Sequence, residues 1–174
     1  MAGRWPETEV APLVQTHGNG VRTLAVSRPF GELATVVAAL PAGAVYERSA
    51  DEIGAAGILS RAIPYGTTSH PSTSALAEAI EGLGGTFGVD SGDDGATLSA
   101  NVPTDQLDAA AAIVTEMATQ PLLHDDAIDR ERQVMTGRLR AAATEPSSKA
   151  GELLGTLLWP SSSLGRTFDS MIEG

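Results

Sequence analysis

Alternating and helically spaced apolar positions divide the chain into strands and helices. Residues 1–13 read as an extended, Pro-rich lead-in. His17-Gly18-Asn19-Gly20 follows, and its Asn-Gly pair favours the positive φ angles of a tight hairpin turn. Val21 to Ser27 predicts a strand with Arg22, Leu24 and Val26 on one face, broken by Pro29 and Gly31. Leu33 to Leu40 is nearly all apolar and reads as a central strand covered on at least one face, ended by Ala42-Gly43. Ser49-Ala50-Asp51-Glu52 has the form of a capping box: the Ser49 hydroxyl accepts from a free helix N–H while Glu52 reaches back. It predicts a helix from Ala50 to Ile63, stopped by Pro64 and Gly66.

The second half is punctuated as clearly. Pro71 and Ser72-Thr73-Ser74 start a helix with Leu76, Ile80 and Leu83 on one face, and Gly84-Gly85 ends it. Thr86 to Asp90 and Ala96 to Val102 predict an antiparallel pair joined by a turn over Ser91 to Gly95. Thr104 is placed to cap a third helix, with Leu107, Ala111, Val114 and Met117 on its buried stripe and Pro121 at its end. A fourth helix begins near Asp125-Asp126 and carries Ile128, Met135, Leu139 and Ala142 on one face. Pro146 opens a fifth helix bearing Leu153, Leu154, Leu157 and Leu158. Pro160 to Gly165 reads as loop, and the remainder is too short to assign. The order β-β-α-α-β-β-α-α-α predicts an α+β two-layer sandwich, a mostly antiparallel sheet with helices on one face.

Composition narrows the functions open to such a fold. The 174 residues fit one domain with a sizeable core. Apolar residues make up 42% but aromatics only 4%, so the core is built from Ala, Val, Leu and Ile. A net charge of −11 repels nucleic-acid phosphates and anionic lipid, and leaves a basic peptide or partner open. With no cysteine there is no disulfide, no thiolate zinc site and no Cys nucleophile. Met1 to Leu13 lacks a signal-peptide apolar segment and no run approaches membrane-spanning length, so a cytoplasmic location is expected.

Several fragments, in order and at matching spacing, carry a resemblance. They are Gly20-Val21-Arg22, Ala42-Gly43, the stretch Gly54 to Thr67, Leu83-Gly84-Gly85, Arg130-Glu131-Arg132 and Leu164-Gly165-Arg166. Together they resemble the N-terminal half-domain of the pitrilysin/insulinase family of zinc peptidases, which includes mitochondrial processing peptidase and inactive relatives. The match runs from about Val14 to Gly165. It implies a processing-peptidase-like half-domain over residues 14–174, expected to be truncated at its C-terminal end.

The family's chemistry rests on an inverted His-x-x-Glu-His motif. Two imidazoles one helical turn apart hold zinc, the adjacent Glu activates the metal-bound water, and a Glu on a later helix completes the ligands. In this chain the first His falls on Gly57, the Glu on Ser60 and the second His on Arg61. The later Glu falls on Arg138, or on Gly137 if the register slips by one. Glycine has no ligand atom, serine is a far weaker base than a carboxylate, and arginine repels a cation. Zinc is therefore expected for the family but not for this chain, which has no metal site and no catalytic set at these positions. If the fold matches, Arg61 and Arg138 approach the vacated metal position, where two cations could hold a carboxylate; pointing to solvent is the competing expectation. The family's peptide-binding edge strand carries an Asn-Ala pair that falls on Gly88 and Val89. The polar side-chain contact is lost there, while backbone pairing to an extended peptide remains open.

Rival sites are weaker. His17, His70 and His124 each lie beside turn residues and share no metal spacing. Asp90, Asp93 and Asp94 lack the spacing and distal Glu of a calcium loop. Gly82 to Gly88 does not match a phosphate loop, and Ser161-Ser162-Ser163 has no visible base. The resemblance implies a non-catalytic subunit that supports peptide binding and proteolysis by an active metallopeptidase partner or second half-domain. The alternatives are part of an active metalloendopeptidase whose zinc site lies outside this chain, and a structural binding module with no proteolytic partner.

Overall fold

The computed structural model describes residues 11–28, 31–49 and 52–173. Most of the lead-in, Pro29, and Ala50 and Asp51 of the expected capping box lie outside the described residues. The chain divides into two units, residues 1–32 and 33–174.

The first unit contains an antiparallel hairpin of β1 (Leu13–Thr16) and β2 (Arg22–Ala25). Asn19-Gly20 makes the turn: the Asn19 side chain accepts from the Val21 N–H and Gly20 takes φ +85°. The second strand is thus shorter than expected, and its partner β1 reaches back to the last residue of the expected lead-in. A four-residue strand whose every position is exposed leaves no periodicity for sequence to read.

The second unit holds β3 (Leu33–Leu40), α1 (Ala55–Ala62), α2 (Thr73–Gly82), β4 (Thr86–Ser91), β5 (Ala96–Pro103), α3 (Leu107–Thr119), α4 (Asp125–Thr144), α5 (Pro146–Leu158) and α6 (Phe168–Glu173). Its sheet is antiparallel in the order β3-β5-β4. β5, not β3, is therefore the central strand of the described sheet. Both strands alternate, but the inward Ala96, Leu98, Ala100 and Val102 of β5 are all buried between two neighbours, whereas the inward Val36, Ala38 and Leu40 of β3 are only partly buried and its outward Leu33 and Val37 are 70% and 56% exposed. Register stacks Val36 on Ala100 and Ala38 on Leu98, with Phe87 and Val89 opposite the same two residues from β4. On this face Leu76 and Ile80 of α2 and Ala110, Val114 and Met117 of α3 complete the core. The opposite face is largely polar, with Thr35 donating to Asn101. The fold is the expected α+β arrangement of antiparallel sheet and helices.

Helix ends depart from the sequence reading where side chains were assigned too much. The Ser72 hydroxyl caps α2 by accepting from Ala75 N at 3.1 Å, as expected. Thr104 does not cap α3: a 3₁₀ turn over Thr104–Gln106 feeds the helix, with no side-chain cap. That entry rotates Leu107 to the surface and puts Ala110 and Ile113 on the buried stripe beside Val114 and Met117. α6, which was not assigned, follows a 3₁₀ turn at Ser163–Gly165 inside the expected loop.

Candidate functional site

α1 is the helix that carries the family motif, and it begins later than its pattern suggests. Gly54 sits in the left-handed region at φ +81°, which glycine adopts without steric cost, and it offers no side-chain cap. Of the expected box over Ser49 to Glu52, Ala50 and Asp51 lie outside the described residues, and the Glu52 carboxylate reaches back to accept from the Arg48 N–H at 2.6 Å. The first-turn N–H of Ala56 is met from outside the helix by Glu47 Oε1 at 3.1 Å. The other end is fixed by backbone. Leu122 N donates to Gly66 O at 2.8 Å, Thr68 N to Gln120 O at 3.2 Å and Thr67 N to His70 O at 2.7 Å. Glu116 of α3 accepts from Ser69 N at 2.6 Å and faces His70 Nδ1 at 3.4 Å. The Ser69 N–H, with help from Thr67 and His70, holds the Glu116 carboxyl below its ordinary range.

α1 packs on α4 and also touches β4. Gly57, at the first motif position, faces Met135 of α4. A Cβ on Gly57 would lie 2.6 Å from Met135 Cε, and one on Gly54 3.3 Å from Met135 Sδ. The thioether thus fills a notch made by two glycines. Ser60 is buried, and its hydroxyl donates back to Gly57 O at 3.1 Å, so its proton is committed to the helix backbone. Arg61 and Arg138 are both exposed, and among the described residues neither has an ion pair or hydrogen bond. Gly137, the alternative register position, is exposed too. Beyond α1, the Tyr65 hydroxyl donates to Glu131 Oε1 at 2.8 Å, and the Arg130 guanidinium lies 6.0 Å from the ring centroid. That hydrogen bond, with burial, raises the phenol above its usual range.

A zinc ion needs three imidazole, thiolate or carboxylate donors converging on one point. The motif positions offer a glycine, a committed hydroxyl and two outward cations, with a soft thioether beside them. This donor set does not fit zinc. Among the described residues no group of three or more His, Cys, Asp and Glu could hold a metal ion. His17 pairs with Thr23 inside the hairpin, His70 with Thr67 and Glu116, and His124 is exposed before α4. Asp90, Asp93 and Asp94 are exposed at the β4–β5 turn, and Ser162 is used in accepting from Leu164 N.

Two other features flank α1. β4, with Gly88 and Val89 paired to Ser99 and Leu98, is an edge of the described sheet. Of any two consecutive residues in such a strand, one turns its N–H and C=O to the free side. A largely apolar cleft of about 690 Å³ lies among α1, α4, α6 and residues 42–47, lined by Ile58, Leu59, Ile128, Met135, Met171 and Ile172 among others. Sequence reasoning had no hold on Met135, Glu47 or Arg166 as neighbours of α1. Met135 stands out in the sequence only on the apolar face of α4, and Arg166 only inside Leu164-Gly165-Arg166.

Among the described residues no helix is long and apolar enough to cross a membrane. The chain is 24% identical over 168 residues to the mitochondrial-processing peptidase subunit beta of Dictyostelium discoideum, covering 97% of this chain and 34% of that protein. It therefore spans about a third of that relative's length. Its fold superposes with a TM-score of 0.81 on a peptidase M16 inactive domain from Pseudomonas fluorescens, at 20% identity, covering 91% of this chain and 38% of that one. Pitrilysin aligns with a TM-score of 0.73 at 20% identity, over 95% of this chain and 18% of its own. The model of the insulinase family, peptidase family M16, matches residues 22–168, and the chain belongs to that family.

Proposed function

We propose that this chain is a non-catalytic member of the family that supports peptide capture and proteolysis by an active metallopeptidase partner subunit or second half-domain. The observation that carries this reading is the motif face of α1: Met135 in the glycine notch, the Ser60 hydroxyl bound to Gly57 O, and Arg61 and Arg138 exposed. Nothing in that set can hold zinc or take a proton from water. The free edge of β4 at Gly88 and Val89 suits pairing with an extended peptide, because that mode needs only backbone donors and acceptors. The net charge of −11 favours a basic peptide and disfavours nucleic acid and anionic membranes. A cytoplasmic heterodimer is the setting this reading assumes.

The test is peptide cleavage by this protein alone, by an intact His-x-x-Glu-His relative alone, and by the two together. No cleavage alone and faster cleavage by the pair is the expected result. Chelator-sensitive cleavage by this chain alone overturns it. Because the chain covers 34% of the processing-peptidase relative, an active protein with its zinc site outside these residues is the second reading. Zinc analysis of the full-length protein separates the two.

A further inference from the structure

The fold gives Leu164-Gly165-Arg166 a distinct place. A Cβ on Gly165 would collide with Trp159 O and lie 3.2 Å from Gly155 O. The 3₁₀ turn can therefore lie flush on the end of α5 only because residue 165 has no side chain. Arg166 then reaches back across the sequence to Glu47. Its guanidinium pairs with Glu47 Oε2 and also donates to Glu47 O at 2.9 Å. The side chains are only 16% and 7% exposed. Glu47 Oε1 remains to accept the Ala56 N–H of α1. Two residues after Arg166, Phe168 N donates to buried Glu152 at 2.9 Å, and α6 runs on against α4 with Met171 and Ile172 in the cleft wall.

We propose that residues 163–172 form a strap, and that its buckle, the Glu47–Arg166 pair, sets where α1 begins while closing one side of the α1–α4 cleft. The logic is electrostatic. α1 has no cap of its own, and a carboxylate at a helix N-terminus is favoured by the unpaired N–H groups there. A buried carboxylate without a counter-charge is unfavourable, however. Arg166 supplies the counter-charge in a forked geometry that lysine cannot reproduce. Without Arg166, Glu47 turns to water, Ala56 loses its acceptor and α6 loses its first anchor.

Native-state amide exchange on the full chain tests this, comparing wild type, Arg166→Ala, Arg166→Lys and Glu47→Gln. Exchange at Ala56 and Met171 should rise together by about tenfold or more in Arg166→Ala, as for loss of a charge-assisted hydrogen bond, and by less in Arg166→Lys and Glu47→Gln. Leu98 and Val102 in the central strand should stay near their wild-type rates. If Arg166→Ala does not fold, the graded effect in Arg166→Lys carries the test. Unchanged exchange at Ala56, or a uniform rise that includes Leu98 and Val102 in Arg166→Lys, overturns the proposal.

Discussion

Glu152 shows how one residue contributes to the acid sensitivity of this fold. It is 8% exposed, with Lys149 Nζ 2.5 Å from one oxygen and the Phe168 N–H on the other. The Lys149 ammonium beside it first, and the Phe168 N–H after it, hold its carboxyl below the ordinary range despite burial, which pulls the other way. A folded pKa below the unfolded value means the unfolded chain binds the proton more readily. The stability from this group is therefore present above about pH 4.3, the ordinary glutamate value, and is lost as pH falls through the depressed folded value. Urea unfolding should show falling midpoints across that window, and Glu152→Gln should cost about 1–3 kcal/mol at neutral pH and flatten the acid slope. The slope should not vanish, because Glu116 is shifted in the same direction. Arg61 is the opposite case. Exposed and without a partner among the described residues, Arg61→Ala should leave stability within about 0.5 kcal/mol. Its effect belongs in partner or anion binding, and unchanged binding would remove the cationic-pocket idea.

At the scale of the element, α1 combines a position legible in the sequence with a start that was not. Pro64 and Gly66 mark its end, and the gapless motif spacing places Gly57, Ser60 and Arg61 on it. The start differs from the expected Ala50 because Gly54, in the left-handed region, directly precedes α1, and the acceptor for its first turn is Glu47, outside the helix. Long-range partners leave no local spacing to read. The Gly57 notch makes a similar point: only the fold puts Met135 into it. Gly57→Ala should gain about 0.5–1 kcal/mol from helix propensity and lose much of it against Met135 Cε. In a Met135→Ala background the full gain should appear, so urea unfolding of the double-mutant cycle should show coupling between the two sites. Ser72→Ala, at a cap that was legible, should cost about 1 kcal/mol.

Over the whole second unit, apolar residues divide into two populations that the sequence does not distinguish. Leu98 is fully buried under α2 and α3, while Leu153, Leu154, Leu157 and Leu158 of α5 are 56–79% exposed. Both occur in periodic apolar patterns, and periodicity reports a face without saying what covers it. Leu98→Ala should cost about 2–5 kcal/mol, whereas Leu157→Ser should stay within about 0.5 kcal/mol. Thermal unfolding of the two variants separates them. The architecture was legible because β5 alternates strictly and turn residues punctuate every junction. The central strand was not, because a nearly all-apolar run such as Leu33 to Leu40 does not reveal how many neighbours the strand has.

The two moorings of α1 also differ in when they become available. The loop after the helix is tied to Glu116, Gln120 and Leu122, about fifty residues downstream, whereas its first turn depends on an arginine 119 positions beyond Glu47. A chain emerging from the ribosome adds roughly 5–20 residues per second. Once residue 122 is out, the partners of Gly66, Thr68 and Ser69 named above have all been made. Glu47 waits for some forty residues more, on the order of seconds, before Arg166 exists to hold it. During synthesis the motif helix is therefore moored first by its tail, and its head is fastened only once residue 166 has been made.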